Sequence, residues 1–173
     1  MANIYLISTE QIKSSTYIDE NVSDKMLKVS ILDTQQQILE PIIGSALYEH
    51  LIDGVTNATL DANHQELLVK YIWPVLQQGT VFKLAYNLLY RITNSSVVKD
   101  SNENSTAIST QEINVIIKER ELSMNYHIKK LTAHLIAYAG TKYPDYNASI
   151  PIDGVGPDQT ANSMSVYYYD LEN

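Results

Sequence analysis

Leu27, Ile31, Ile38 and Ile42 recur at intervals of four or seven, with Gln35 standing in the gap. This period predicts an amphipathic helix that Pro41 and Gly44 bring to an end. Ahead of it, Ser8 and Gln11 have the Ser-x-x-Gln spacing of a capping box, which opens a short helix ending near Ser14, and Asn21 to Asp24 carries the next start signal. Gly44 and Ser45 place a stop and a new cap side by side, so ALYEHLID forms a short third helix closed by Gly54. From Asp61 to Ile92 the chain is helical in composition again. Pro74 cannot donate a backbone hydrogen bond and disfavours helical geometry at Trp73, so a kink or break is expected there. Beyond it, apolar residues from Val75 to Ile92 occupy nearly every side, with Lys83 and Arg91 the only charges. A helix apolar all round is buried by neighbours, which here can include other subunits.

The period then stops. Asn94 to Thr110, NSSVVKDSNENSTAIST, is polar and longer than the roughly 12 to 15 residues that compact domains leave structureless without a binding role. After it, Ser109 and Glu112 again have capping-box spacing, and Ile113, Ile117, Met124, Ile128, Leu131, Leu135 and Tyr138 step by three, four or seven. One helix from about Thr110 to Lys142 would be roughly 45 Å long at the helical rise, comparable with the roughly 40 Å diameter expected of a domain this size. From Tyr143 the character changes again, with Pro144, Pro151, Gly154, Gly156 and Pro157 punctuating a segment that ends in SVYYYDLEN. Strand signals are almost absent before Tyr143. The predicted class is all-α, an antiparallel helical bundle with a long last helix, a long polar loop and an extended tail. Residues 1–142 form the helical domain and 143–173 an arm, whose tyrosines offer apolar rings with polar tips to a partner.

Composition narrows what such a bundle can do. A net charge of -8 with only Arg91 and Arg120 as arginines lacks the clustered basic face of a nucleic-acid binder. With no cysteine, disulfides, thiolate metal sites and cysteine nucleophiles are excluded. The opening MANIYLIS lacks a signal-peptide pattern, and no run reaches the roughly 18 apolar residues of a membrane span, so a cytosolic, membrane-free protein is expected. The sequons at Asn21, Asn57, Asn94, Asn104 and Asn147 then follow from abundant Asn, Ser and Thr rather than from glycosylation.

Candidate chemistry is sparse. Asp100, Asn102 and Asn104 open like a calcium loop, but Ser105 stands where the turn needs glycine and Gln111 where a bidentate glutamate is needed. His127 and His134 are seven apart on the long helix with no third ligand one turn away, and read as surface or packing residues. His50 and His64 look equally isolated, and Glu66 is too close to His64 in sequence to share its helical face. There is no glycine-rich phosphate loop, G-x-S-x-G elbow or H-E-x-x-H pair. No catalytic residue, cofactor site or metal site is expected.

Two blocks carry a resemblance to a known family. LISTEQIKSSTYIDENVSDKMLKVSILDTQQQILEPIIGSALYEHLIDG resembles the opening of the head-to-tail connector proteins of tailed phages, above all those of Bacteroidetes and crAss-like phages. The run LLVKYIWPVLQQGTVFKLAYNLLYRITNSSVVKDSNENSTAIS is similar to that family's Y-I-x-P helix, Y-R-I-T-N helix end and following VV-containing polar loop. The resemblance covers roughly Ile4 to Tyr143; the tail from about Asp145 has no counterpart in it. It implies a virion protein, made in the host cytoplasm, that closes into a ring, commonly of twelve copies. The ring docks beneath the portal, meets adjacent neck or tail rings and lets DNA pass through its lumen as cargo. The contact elements expected on that reading are Arg91, Asn94, Val97, Val98, Lys99 and Asn104 around the polar loop, and Tyr143, Tyr146, Tyr167, Tyr168 and Tyr169 on the arm. A helical adaptor or scaffold without ring closure would share the composition. A small cytosolic enzyme working through carboxylates would instead need a concave pocket with shifted titrations.

Overall fold

A computed structural model describes residues 3–92, 97–99 and 110–147 and shows an all-α fold. The helices are α1 (Thr9–Ser15), α2 (Asp24–Thr34), α3 (Glu40–Ile43), α4 (Ser45–Asn57), α5 (Ala62–Leu67), α6 (Trp73–Leu89) and α7 (Thr110–Tyr138). The capping signal at Ser8 acts as read: its side chain accepts from the Gln11 N–H. The second start falls two residues after Asn21, with Ser23 as the cap of α2.

Both prolines are absorbed rather than obeyed as breaks. A π-helical turn, Gln35–Leu39, joins α2 to α3, and another, Leu68–Ile72, joins α5 to α6. Each ends two residues before a proline, Pro41 in one case and Pro74 in the other. In both, the residue ahead of the proline donates five residues back, Glu40 to the Gln35 carbonyl and Trp73 to the Leu68 carbonyl. A proline ring crowds the carbonyl four residues earlier and leaves it without a donor. A widened turn relieves both demands without ending the helix. The expected break at Trp73-Pro74 is therefore a π turn just ahead of it, inside one helical run from Ala62 to Leu89.

Gly44 does stop the second helical run. Its φ of 80° lies in the left-handed region that suits glycine, and its N–H donates to the Glu40 carbonyl. Ser45 is the first residue of α4 and not its cap, and its hydroxyl donates to the Glu40 carboxylate at 3.1 Å. Gly54 does not close the third helix. That helix continues to Asn57 and ends with Ala58 in the left-handed region. Gly54 is small because Leu60 folds back onto it, occupying the space a Cβ would need.

The helix apolar on nearly every side, α6, lies between α2 and α7, its most extensive neighbours. Val75, Leu76, Thr80 and Leu84 are buried by the same chain, while Val81, Phe82 and Ala85 are only partly covered. Gly79 is the closest point of approach: a Cβ there would stand 2.5 Å from the Thr34 methyl and 3.4 Å from the Met124 sulfur. With Tyr71 stacked on His134 and Gly79 facing Met124, α6 and α7 run in opposite directions, as an antiparallel hairpin of helices should. Ile117, Met124, Ile128, Leu131 and Leu135 form the buried stripe of α7, but Tyr138 is exposed. None of the helices in the described residues is long and apolar enough to cross a membrane.

Two features depart from the expected loop and arm. Tyr90–Ile92, read as the end of the helix, pairs antiparallel with Val97–Lys99, Tyr90 opposite Lys99, Arg91 opposite Val98 and Ile92 opposite Val97. A short β-ribbon thus stands at the start of a segment expected to be irregular, because Val97 and Val98 are β-branched and pair locally. At the other end, α7 stops at Tyr138, and the chain turns and packs back through a 3-10 turn, Pro144–Asn147, against α4. Tyr143 and Tyr146, placed on the arm by their sequence surroundings, are 0% and 1% exposed and belong to the core. Two large rings cover α4 and α5 at low entropic cost, brought there by the turn that Pro144 opens. The helical domain therefore extends past residue 142.

Candidate functional site

The residues expected to make contacts divide into three groups. Arg91, Val97, Val98 and Lys99 share the β-ribbon, with Arg91 directly opposite Val98. Tyr143 and Tyr146 are enclosed and cannot present their rings to a partner. Asn94, Asn104, Tyr167, Tyr168 and Tyr169 lie outside the described residues, as do Asp100, Asn102 and Ser105 of the rejected calcium loop.

An apolar surface that the sequence reading did not single out lies on α7. Val115, Leu122 and Ile136 fall on one line at heptad multiples, Tyr126 stands one turn beyond Leu122, and all four are more than half exposed. They stand opposite the buried stripe, since Val115 and Ile117 are two residues apart and point to different sides of the helix. Exposed Lys129 completes the same heptad line between Leu122 and Ile136, so this outer side of α7 mixes uncovered apolar side chains with charge.

The second cluster is polar. His50 on α4, His64 on α5 and Asp145 in the 3-10 turn each offer one ligand-type atom, all within 4.8 Å of one another. The His50 and His64 rings stack with centroids 4.3 Å apart, and His50 Nδ1 lies 2.7 Å from an Asp145 carboxylate oxygen. Asp61 fixes His64 from the other side. As the cap of α5, one carboxylate oxygen accepts from the N–H groups of Asn63 and His64, and the other lies 2.7 Å from His64 Nδ1. The His64 N–H bond, then its ring, hold the Asp61 carboxyl below the usual aspartate range. A carboxylate beside Nδ1 fixes the proton there and leaves Nε2 as the lone-pair nitrogen. That Nε2 is buried and has no hydrogen-bond partner.

The cluster extends through rings. Tyr143 meets His64 edge-on at 5.5 Å, and its hydroxyl lies 3.1 Å from His134 Nε2 and donates to the Asn63 carbonyl at 3.4 Å. Tyr71 stacks on His134 at 4.0 Å. Burial lowers the pKa of His134 and favours its neutral form. The histidines that look isolated in sequence are thus gathered by the fold, while His127 stands apart from them, meeting the Tyr126 ring edge-on at 5.3 Å. The one local signal for this was the Asp-x-x-His spacing of Asp61 and His64, a cap and a ring partner in one residue.

An acid titration tests the cap. A depressed carboxyl contributes stability that is present above its ordinary value of 3.8 and lost as pH falls through the folded-state value. Asp61→Asn, which keeps the cap geometry but cannot ionise, is expected to melt below the parent at pH 7. The two melting temperatures should converge once the parent carboxyl is protonated. A constant gap across that titration would show that charge has no part in it.

The sequence pattern of a family described as a family of unknown function (DUF6712) matches residues 39–154, more than half of the chain. No curated protein and no solved structure matches it.

Proposed function

The chain belongs to DUF6712, a family of unknown function, and from its own residues we propose that it is a structural virion protein, a head-to-tail connector subunit that closes into a ring under the portal. The observation that carries the reading is the uncovered apolar face of α7, with Val115 68%, Leu122 63%, Tyr126 59% and Ile136 57% exposed. Exposed Lys129 stands on the same line between Leu122 and Ile136, so the face mixes large apolar side chains with charge, a composition that suits an interface between soluble subunits. In a cyclic ring each subunit meets its neighbours through two different patches, and the outer face of α7 supplies one of the two. On this reading the outer face of α7 is the ring interface, with the Arg91–Val98 ribbon as the element directed toward a neighbouring ring or the portal. The net charge of -8 suits a lumen through which DNA slides, because dense phosphate neutralisation would hold it in place. The resemblance of Ile4 to Tyr143 to phage connectors supports the same reading.

Native mass spectrometry and negative-stain imaging of the full chain, alone and with the portal protein, test it. Closed rings are expected. Leu122→Glu with Ile136→Glu should abolish them while leaving the circular dichroism melt of the subunit unchanged, since neither side chain is in the core. Open or dimeric assemblies would favour a helical adaptor without ring closure. A tight, salt-sensitive complex with duplex DNA would contradict the passive lumen.

A further inference from the structure

The structure assigns a transition-metal site to His50, His64 and Asp145, a Zn2+-class centre that fastens the turn following α7 to α4 and α5. Three features carry it. The ligand-type atoms of the three residues lie within 4.8 Å of one another; because a metal sits in the plane of each imidazole, the partly exposed His50 ring must turn out of its stack on His64 to bring them to the roughly 3.3 Å edges of a tetrahedron with about 2 Å metal bonds. His64 is 3% exposed, and its Nε2 has no hydrogen-bond partner. A buried ring nitrogen of that kind is costly unless something accepts its lone pair. Asp61 bonds the other nitrogen at 2.7 Å, the carboxylate–histidine arrangement that orients a metal-binding imidazole and raises its basicity.

The donor set selects the ion. Two imidazoles and one carboxylate suit Zn2+ and its neighbours, whereas Ca2+ and Mg2+ need oxygen ligands throughout. His50 and Asp145 are partly exposed, 43% and 36% by side chain, so a fourth position facing solvent can be filled by water. His64 is on the enclosed side. The site draws on three separate elements, with His50 and Asp145 95 residues apart, so binding closes a long loop and anchors the chain where it leaves the helical core. Within His50, Asp145 and the ring of His64, the metal would replace a histidine–aspartate contact and an unsatisfied nitrogen by coordinated ligands.

Titration of the metal-stripped full chain with Zn2+ by calorimetry, and with Co2+ by visible absorption, tests the assignment. One ion per chain is expected. At Zn2+ about a hundredfold above Kd, a melting-temperature rise of roughly 5–10 °C, reversed by chelator, should follow. Asp145→Asn keeps an acceptor for His50 but removes a ligand, and should weaken binding by tenfold or more. Asp61→Asn, which keeps the α5 cap but removes the carboxylate from His64 Nδ1, should weaken it by about 10–100-fold. In the unaltered protein, long-range 1H–15N spectra of the imidazoles should show His64 Nε2 shifting on Zn2+ addition while Nδ1 stays protonated, a readout that holds even where a variant fails to fold. Absence of binding below millimolar Zn2+, an affinity unaffected by Asp145→Asn, or an unmoved His64 Nε2 resonance would each overturn the site.

Discussion

Tyr143→Ala is expected to destabilise the chain by about 3–5 kcal/mol, the range for deleting a buried aromatic ring. The ring is 0% exposed and packs against the rings of His64 at 5.5 Å and His134 at 5.6 Å, which are held by their own hydrogen bonds and stacking. Urea denaturation monitored by circular dichroism measures it directly. Tyr143→Phe separates ring from hydroxyl and should cost only about 1 kcal/mol, the net worth of a hydrogen bond. The hydroxyl also has a pH signature. Burial first, and the nearby Glu66 carboxylate second, push its pKa from 10.0 up to about 12. A raised folded-state value means its contribution is complete below pH 10 and is lost as pH rises toward 12. The parent should therefore lose stability over that window, and Tyr143→Phe should lose less. The position of a truncation follows from the same burial. A chain cut after Asn147 keeps Tyr143 and Tyr146, whereas one cut after Lys142 loses both and should melt below Tyr143→Ala. Equal stability of the two truncations would mean that the turn after α7 is not part of the core.

How far the sequence leads depends on whether each feature is settled nearby. The cap at Ser8, the stop at Gly44 and the buried stripe from Ile117 to Leu135 rest on hydrogen bonds and periodicity within a few residues, and each is found where the pattern puts it. Gly54 misleads because its smallness answers to Leu60 and not to a helix end. Pro74 misleads because a π turn, which leaves no compositional mark, can absorb a proline that an α-helix cannot. Leu122 and Ile136 fall outside the core stripe in the sequence, yet their meaning as an exposed face appears only once the opposite side of α7 is seen to be filled by α6. The histidine cluster is the least legible part. His50 and His64 come together through the turn between α4 and α5, and Asp145 arrives only when the chain returns after α7, a juxtaposition that no local spacing encodes.

Gln35→Leu is expected to cost about 2–4 kcal/mol although it replaces a polar residue by an apolar one inside the core. In the sequence Gln35 is a gap in an apolar stripe; in the structure it is 0% exposed and sits in the first π turn. Its carbonyl oxygen accepts from the Leu6 N–H at 2.9 Å, and its amide donates to the Ile4 carbonyl and the Tyr48 hydroxyl, both at 3.2 Å. It thus serves as the backbone partner for an N-terminal segment that has no strand or helix to pair with. Leucine fills the volume but leaves the buried Leu6 N–H unpaired, at about 1–3 kcal/mol for that group alone, with the Ile4 and Tyr48 groups adding less because water can reach them. The loss has its own optical reporter. The chain has one tryptophan, Trp73, and its indole N–H donates to the Leu6 carbonyl at 2.9 Å. Once the Leu6 segment loosens, that indole gains water, so Gln35→Leu should red-shift the native emission and lower amide-exchange protection at Leu6 before global unfolding. Gln35→Glu makes the sign of the effect testable. A carboxylate there keeps an acceptor for Leu6 but turns a buried charge toward the Ile4 carbonyl, so its protonated form should be the better fit and stability should recover as pH falls. Parent-like stability and unchanged emission for Gln35→Leu would mean that the N-terminal segment is held by the apolar contacts of Leu6 and Ile7 alone.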